Sequence, residues 1–464
     1  MGMKNPRCTN PFVMSKRMEI LLKRCFAAYL IITCICLHGF AQIGKKKSIG
    51  TNAKMSGPVI DTALLTLVQH RTFDYFWKFG HPVSGMASER STTPNVVTLG
   101  GSGFGVMAIL TGIERKFITR EQGLDRLLTI VNFLVKADHY HGIWPHWLDG
   151  TTGKTIPFSR KDDGGDVVET AYMFQGLLCV RQYFNGDSPK ENDLRTKIGW
   201  LWGDAEWNWY TRDGQDVLYW HWSPNNGWSM NHPIRGYNEC LIAYVLAASS
   251  ENYSISPKVY HQGWAMSNFF YNGKDYYGIH LPLGFPYGGP LFFSQYSFLG
   301  LDPHGLKDQY ADYWQQNLNH TLINRQYCIE NPNHYANYSA DCWGLTASDA
   351  PDDGYDAFSP TNDHGTITPT AALSAFPYTP AYSMQALNYF YTRKGDQLWK
   401  EYGFTDAFNE SRNWYDHQYL AIDQGPIVVM IENYRSGLLW KLFMSCPEVQ
   451  QGLKKLGFTS PSIQ

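Results

Sequence analysis

Apolar side chains recur at helical spacing along most of the chain. Leu64, Leu65, Val68 and Phe73 form the first such stripe, directly after Asp61. No segment shows the strict apolar and polar alternation of a half-buried strand, so the pattern predicts about twelve helices. These helices are predicted over residues 61–77, 106–116, 120–138, 166–180, 192–209, 235–249, 258–271, 291–299, 306–328, 369–376, 380–393 and 424–434.

Twelve helices joined by long loops rich in aromatic residues, Gly and Pro favour a particular all-α architecture. Antiparallel helix pairs of this number fit an (α/α)6 barrel of six helical hairpins, with the long aromatic loops gathered at one end. The sequence has no internal repeat of 20–50 residues, which argues against a solenoid. We therefore expect residues 59–464 to form a single domain.

The first residues have the pattern of a targeting segment. Lys23 and Arg24 precede an apolar run from Cys25 to Leu37, and small residues end at Ala41. This order predicts a signal peptide over residues 1–41, followed by a polar linker over 42–58. No later segment approaches the roughly 20 apolar residues of a membrane span. We expect a periplasmic or secreted protein without stable membrane insertion.

Composition narrows the class of ligand. Aromatic residues make up 15% of the 464 positions, charged residues only 17%, and the formal net charge is -2. This balance offers no electrostatic footprint for nucleic acid. It suits the stacking of flat, neutral ligands, although a large helical core filled with rings would give the same composition. We expect a monomer that needs no cofactor and no metal.

Three carboxyls crowd a Gly-Gly bend at residues 162–166, and Glu169 follows within one helical turn. The apolar run after Glu169 predicts a buried helix that begins at Asp166. A capping box explains Asp166 and Glu169 alone, because Asp166 would accept from the third amide while Glu169 reaches back. Asp162 and Asp163 are left unexplained by that interpretation. A catalytic or sugar-binding role for this group of acids accounts for both.

Glu239 is the second acidic position of interest. It falls in the first turns of the helix predicted over residues 235–249, just before an apolar run. Complementing the helix dipole is one interpretation. The other is a proton donor, because an acid that faces a helix-lined pocket has a raised pKa. Two carboxyls at neighbouring helix starts in the mouth of a barrel suit glycoside hydrolysis.

Two loops mix rings with polar groups. One contains Trp144 and His146, and the other runs from Trp343 to Asp349. Sugar stacking and hydrogen bonding to hydroxyls fit both loops better than a metal site, because neither has a standard ligand spacing. Tryptophans that pin each loop to the core remain the alternative.

Several of these motifs resemble one bacterial family in the same order along the chain. The set comprises Ser88–Ser91, Ser102–Gly105, Asp162–Glu169, Gly236–Glu239, Gly289–Phe292, Cys342–Asp349 and Thr368–Ala372. It resembles the glycoamylase-like domain of the β-1,2-glucanases, glycoside hydrolase family 144, over nearly all of residues 59–464. His364, in Asn362-Asp363-His364-Gly365, departs from the family's pattern in one substrate loop.

The resemblance implies an (α/α)6 barrel, an inverting mechanism, no required metal and linear β-1,2-glucan as substrate, with sophorose or short sophorooligosaccharides as products. It places the acidic cluster on Asp162, Asp166 and Glu169 and the proton donor on Glu239. Asp166 is the favoured general base. Substrate binding is assigned to Arg90, Trp144, His146, Trp343, Asp349 and Asp423.

Two other classes of function remain open. A polysaccharide lyase on the same barrel would need a Tyr or His base, for which Tyr237 and His232 are available. A non-catalytic glycan-binding protein would keep the aromatic cleft without clustered acids. Ultraviolet absorption by an unsaturated product identifies a lyase, and the absence of any activity identifies a binder.

Overall fold

The computed structural model describes residues 60–352 and 354–463, so the predicted signal peptide (1–41) and linker (42–58) lie outside the described residues. Helices dominate the described chain. They are α1 (Thr62–Trp77), α2 (Leu99–Glu114), α3 (Arg120–Leu134), α4 (Val167–Tyr183), α5 (Pro189–Asp204), α6 (Leu241–Ser249), α7 (Tyr313–Glu330), α8 (Pro369–Leu373), α9 (Pro380–Arg393), α10 (Gly395–Leu398), α11 (Ala421–Ser436), α12 (Leu438–Met444) and α13 (Pro447–Lys455).

The helices form an inner and an outer ring. Helices α2, α4, α6, α8 and α11 are buried along most of their length, as apolar sequence on all sides requires. Helices α1, α3, α5, α7 and α9 bury one face and keep polar residues on the other. Buried and half-buried helices alternate along the chain, which is the order that antiparallel hairpins produce.

The fourth hairpin is irregular. A π-helical turn (Val259–Ala265) supplies its outer member, and a 3-10 turn (Tyr296–Leu299) packs among α4, α6 and α11 as the inner one. Helix α11 contacts both α1 and α2, so the last hairpin meets the first and closes the ring. The predicted all-α (α/α)6 barrel is confirmed.

Helix α2 begins earlier than the sequence predicted. The run from Gly100 to Gly105 lies inside this helix, although Gly is a poor helix former. Packing explains the glycines, because a Cβ on Gly103 would lie 2.3 Å from the carbonyl oxygen of Tyr172 in α4. A Cβ on Gly100 would lie 2.5 Å from Oε2 of Glu169. The glycine face thus lets α2 approach the helix that carries the acidic cluster.

Other predicted boundaries were also wrong. Helix α6 begins at Leu241 rather than residue 235, so Glu239 precedes the helix in a turn. The segment predicted as a helix over residues 291–299 consists of two 3-10 turns, and 258–271 contains only the π-helical turn. The sequence pattern missed α12 and α13 at the C-terminal end of the described chain.

Short antiparallel strands, which the sequence pattern missed, tie the loops together. The pairs are β1 (Val96–Thr98) with β2 (Trp147–Asp149) and β3 (Thr155–Ile156), β4 (Gly165–Asp166) with β5 (His221–Trp222), β6 (Tyr271–Tyr276) with β7 (Ile279–Leu283), β8 (Ala347–Ala350) with β9 (Gly354–Ala357), β10 (Trp399–Lys400) with β11 (Gly403–Phe404), and β12 (Phe408–Asn409) with β13 (Trp414–Tyr415). Among the described helices, none has both the length and the apolar character needed to cross a bilayer.

Candidate active site

Asp166 occupies the start of α4 and accepts four hydrogen bonds. Its Oδ1 accepts from the amides of Val168 and Glu169 at 3.0 and 2.9 Å, which caps the helix. Its Oδ2 lies 3.0 Å from Nδ1 of His146 and accepts from Nε1 of Trp220 at 3.1 Å. A carboxylate has about four acceptor sites. Asp166 is therefore an anchor whose acceptor sites are filled.

Glu169 points to the neighbouring inner helix and not back to Asp166. Its Oε2 accepts from the amide of Gly100 at 2.7 Å and from Oγ1 of Thr98 at 3.5 Å. The amide of Asp166 donates instead to the carbonyl of Trp144. The capping-box interpretation is therefore confirmed for Asp166, which accepts from the amide of Glu169, and wrong for the return contact from Glu169. Burial raises the pKa of Glu169, although His146 opposes that shift by favouring the charged form.

Asp162 pairs with His221 across the bend. The ring nitrogen Nε2 of His221 lies 3.0 Å from Oδ1 of Asp162 and accepts from the amide of Gly164 at 3.2 Å. Burial raises the pKa of Asp162 to about 7 and lowers the pKa of His221 to about 4. Both groups are then neutral in weakly acidic solution.

His146 is the cation of the cluster. Burial opposes its charge, but Glu169 and Asp166 outweigh that penalty and raise the pKa of His146 to about 9. About a fifth of the side chain is exposed, at 21%. The structure thus places His146 beside the acids, where a partly exposed imidazolium can meet a ligand.

Glu239 lies close to this cluster but comes from the next hairpin. The carbonyl of Glu239 accepts from Oγ of Ser297, and that hydroxyl accepts from the amide of Ile242 at 3.0 Å, which fixes the turn before α6. Burial is the first cause that raises the pKa of Glu239 to about 7, and the charges of Glu169 and Asp166 add to it. Such an acid keeps its proton near neutrality, as a general acid requires.

Tyr172 connects the two acidic positions and was missed by the sequence analysis. Its hydroxyl is buried and has no hydrogen-bond partner in the described chain, and neither has Oε2 of Glu239. Burial raises the pKa of Tyr172, and the nearby charges of Glu239 and Glu169 raise it further. The tyrosine thus lies within electrostatic reach of both acids. In the sequence this tyrosine is one ring within an apolar helical run, and nothing there indicates that it lies between the two acids.

A second cluster of acids surrounds Arg90. The guanidinium donates from Nε to both oxygens of Glu89 and from Nη1 to both oxygens of Asp349, at 2.9 to 3.0 Å. Asp423, in the first turn of α11, accepts from the hydroxyl of Tyr296 at 3.3 Å. Burial raises the pKa values of Asp349 and Asp423 to about 7. Arg90, Asp349 and Asp423 were predicted as substrate-binding residues, and the structure brings them together.

Asp406 and Asp416 complete this second cluster, and the sequence analysis missed both. Asp406 accepts from the amide of Asp349 at 2.8 Å, and Asp416 accepts from the amide of His417 at 2.7 Å. The second oxygen of each is buried and has no donor in the part of the chain that the structure describes. One oxygen each from Asp349, Asp406 and Asp416 lies within 4.8 Å of the others, a spacing at which the three could share a cation or protons. In the sequence these two acids stand alone between short strands, and their spacing matches no recognisable motif.

Trp144 and Trp343 are not sugar-stacking residues in this structure. Their exposed fractions are 1% and 0%, and each belongs to a hydrophobic core. Trp144 packs against Phe174 of α4 at a centroid distance of 5.1 Å and directs its Nε1 to the carbonyl of Leu134. The predicted substrate-binding role of these two residues is wrong, because protein atoms cover their ring faces.

Comparisons with known proteins agree with this geometry. The family model named Glycoamylase matches residues 231–447. The endo-β-1,2-glucanase of Chitinophaga pinensis, solved with sophorotriose and glucose, is 58% identical, has a TM-score of 0.85 and is matched over all of its chain and 87% of this one. An exo β-1,2-glucooligosaccharide sophorohydrolase of Parabacteroides distasonis is 48% identical over 86% of this chain. This chain spans 58% of that relative's length.

A more distant structure shares only the fold. The endo-β-1,2-glucanase of Talaromyces funiculosus, in complex with sophorose, has 11% sequence identity and a TM-score of 0.60. A barrel of helical hairpins with buried carboxyls near the starts of its inner helices is the architecture of the (α/α)6-barrel glycoside hydrolases. Within that class, the chain belongs to the glycoamylase-like family of β-1,2-glucanases, glycoside hydrolase family 144.

Proposed function

We propose that this protein hydrolyses linear β-1,2-glucan to sophorose or short sophorooligosaccharides with inversion at the anomeric carbon. The observation that carries the proposal is the pairing of a buried, proton-carrying Glu239 with an acidic cluster on the preceding hairpin. Two relatives, at 48% and 58% identity, carry names of β-1,2-glucan hydrolases.

Glu239 is the general acid of this proposal. A buried carboxyl with a pKa of about 7 is protonated in about half of the molecules at pH 7 and in most of them at lower pH. It can deliver this proton to the leaving glycosidic oxygen, directly or through a substrate hydroxyl. Its neighbours Glu169 and Asp166 disfavour ionisation before the reaction. Once the proton has left, the cationic His146 reduces the summed negative charge of the site.

Glu169 is the better candidate for the base within the acidic cluster. The sequence analysis favoured Asp166, but four donors fill the acceptor sites of Asp166. Glu169 accepts only through Oε2 in the described hydrogen bonds, which leaves Oε1 for a water. Inversion requires carboxyls about 6.5–9.5 Å apart, and acids from two hairpins leave room for that water better than acids on one helix turn.

Asp423 is a second candidate base. Its Oδ2 is buried and has no hydrogen-bond donor among the described residues, and its pKa of about 7 allows it to accept a proton near neutrality. Glu169→Gln and Asp423→Asn separate the two assignments. The variant that lacks the base should retain glucan binding and lose about 100- to 10,000-fold in rate.

A polysaccharide lyase receives less support than hydrolysis. A lyase would need a base such as His232 or Tyr237, yet burial lowers the pKa of His232 and raises the pKa of Tyr237 well above neutrality. The first shift suits a base, but a lyase also needs a side chain that neutralises the uronate. Arg90, the arginine of the second acidic cluster, is already held by Glu89 and Asp349. A non-catalytic glycan-binding protein would not require a carboxyl with a raised pKa at Glu239.

We also propose that the protein is exported and acts as a monomer in the periplasm or outside the cell. The apolar run after Lys23 and Arg24 supports export. Detection of the mature chain in periplasmic or culture fractions, with sequencing of its first residue, tests the cleavage after Ala41.

A substrate screen tests the proposed function. Purified protein is incubated with β-1,2-, β-1,3-, β-1,4- and α-1,4-glucans, and product sizes are followed over time. We expect sophorose or short sophorooligosaccharides from β-1,2-glucan alone. Strong release of glucose from starch, or products that absorb in the ultraviolet, would overturn the assignment.

A further inference from the structure

A continuous row of aromatic rings leads from the catalytic groups to the surface. Tyr172, beside Glu169 and Glu239, contacts Tyr296 edge-on at a centroid distance of 5.8 Å, and Tyr296 contacts Phe292 at 5.0 Å. Phe292 contacts Phe293 at 4.8 Å, Phe293 contacts Phe285 at 5.7 Å, and Phe285 stacks on Phe269 at 4.8 Å. We call Tyr296, Phe292, Phe293, Phe285 and Phe269 the aromatic row.

Exposure increases along the aromatic row. Tyr296, at its inner end, is buried at 5%, Phe292, Phe293 and Phe285 are partly exposed, and Phe269 is 50% exposed. Phe285 lies nearly parallel to Phe269, at 6°, and covers one of its faces. The side chain of Phe269 therefore keeps much of its apolar surface in water, next to a row that begins at the catalytic acids.

The backbone at Phe269 is strained. Its φ of +64° is the left-handed conformation, which Gly and Asn adopt readily and a bulky residue rarely does. Such a conformation is energetically unfavourable and persists where the surroundings or a function maintain it. Phe269 also fixes the turn that carries Glu239, because its carbonyl accepts from the amide of Tyr237 at 3.2 Å. The exposed ring is thus held in a set position relative to the proton donor.

We propose that the aromatic row binds the glucan chain beyond the residues that are cleaved, with Phe269 as its outermost contact. Pyranose rings present apolar C–H faces and carry no charge, so partly exposed phenyl rings match them without burying an ion. The continuity of the row with the site of Glu239 identifies the occupant as the same chain whose linkage is cut. This inference rests on the proposed function, because it takes β-1,2-glucan as the ligand.

The test compares substrate lengths. Phe269→Gly removes the ring and suits the left-handed backbone, so the variant should fold. We expect the KM for long β-1,2-glucan to rise about 2- to 12-fold, the order of one aromatic contact, and to rise more than the KM for sophorotriose. The kcat for long glucan should change less than its KM, since the acids stay in place. Phe269→Tyr should restore the KM.

The matched control is Trp200→Ala, which removes another exposed ring (62% exposed) from α5, outside the row. It should leave both KM values as in the unmodified protein. If Phe269→Gly changes the two KM values by the same factor, or neither, the inference fails although hydrolysis stands. If the unmodified protein does not cleave β-1,2-glucan, the proposed function itself fails. Circular dichroism and melting temperature confirm that each variant is folded.

Discussion

At the scale of single residues, Asp166 joins a structural and a chemical role in one carboxylate. Its Oδ1 caps α4, while its Oδ2 contacts His146 and Trp220. The two oxygens therefore respond differently to substitution. An amide keeps the capping oxygen but turns a donor toward the two ring nitrogens.

Asp166→Asn should retain most of the cap, whereas Asp166→Ala should cost about 0.5–2 kcal/mol of unfolding free energy. Both variants should lose activity, because each removes the charge that holds His146. The pKa of His146, followed by NMR, should fall from about 9 in both. Full activity of the Asn variant would mean that Asp166 only caps the helix and has no chemical role. Melting temperatures provide the stability comparison.

Glu239 gives a prediction whose sign depends on pH. Its folded pKa of about 7 exceeds the ordinary value of a glutamate, so the folded state holds the proton more tightly than the unfolded state. Stability from this group is present below the unfolded pKa and is lost as pH rises through about 7. Glu239→Gln should therefore raise the melting temperature at pH 8 more than at pH 5.

The same variant should lose about 100- to 10,000-fold in kcat while remaining folded. In the unmodified protein, activity should decline above about pH 7 as Glu239 loses its proton. A variant with near-normal kcat, or a melting temperature gain confined to pH 5, would contradict the assignment of Glu239 as a buried general acid. The pH profile of kcat/KM measures the first point and calorimetry the second.

At the scale of elements, local sequence rules succeeded where packing did not intervene. The start of α4 at Asp166 is confirmed, and in the structure Thr119 and Gln122 form a capping box at the start of α3. The start of α2 was wrong because tertiary contact outweighs the poor helix propensity of its glycines. The predicted contact from Glu169 back to the amide of Asp166 was wrong for a related reason, because the amide of Gly100 in α2 donates to that carboxylate.

The contact between α2 and α4 gives an element-scale prediction. In Gly103→Ala the new Cβ would lie 2.3 Å from a backbone oxygen and 2.6 Å from the amide nitrogen of Met173, which side-chain rotation cannot relieve. The helices must separate, at a cost of about 1–3 kcal/mol. Activity should fall as well, because Glu169 loses its position against Gly100. Chemical denaturation and kcat measure the two effects.

Gly199→Ala in α5 is the matched control. No atom lies within 4 Å of the Cβ position there, and the residue is inside a helix. This substitution should stabilise the protein by about 0.5–1 kcal/mol. Equal effects of the two substitutions would mean that the close approach of α2 and α4 is not what the glycine provides.

At the scale of the whole molecule, the barrel gathers acids that are far apart in sequence. Glu89 and Arg90 precede α2, Asp349 lies on β8, and Asp423 begins α11, yet Arg90 and Asp349 form an ion pair at 2.9 Å. The sequence predicted the barrel and most of the acids. It could not predict that Asp406 and Asp416 belong to the second acidic cluster, because only the pairing of short strands in the loops places them there. It likewise misassigned Trp144 and Trp343, since burial depends on packing that no local pattern encodes.

The anomeric form of the first product tests the account most directly. The two carboxyls are assigned to a proton donor, Glu239, and a water-activating base on another hairpin, which requires inversion. Hydrolysis of β-1,2-glucan, followed by NMR or polarimetry from the first turnovers, should release a reducing end in the α configuration. A first-formed reducing end in the β configuration would contradict the account and make one of these acids a nucleophile.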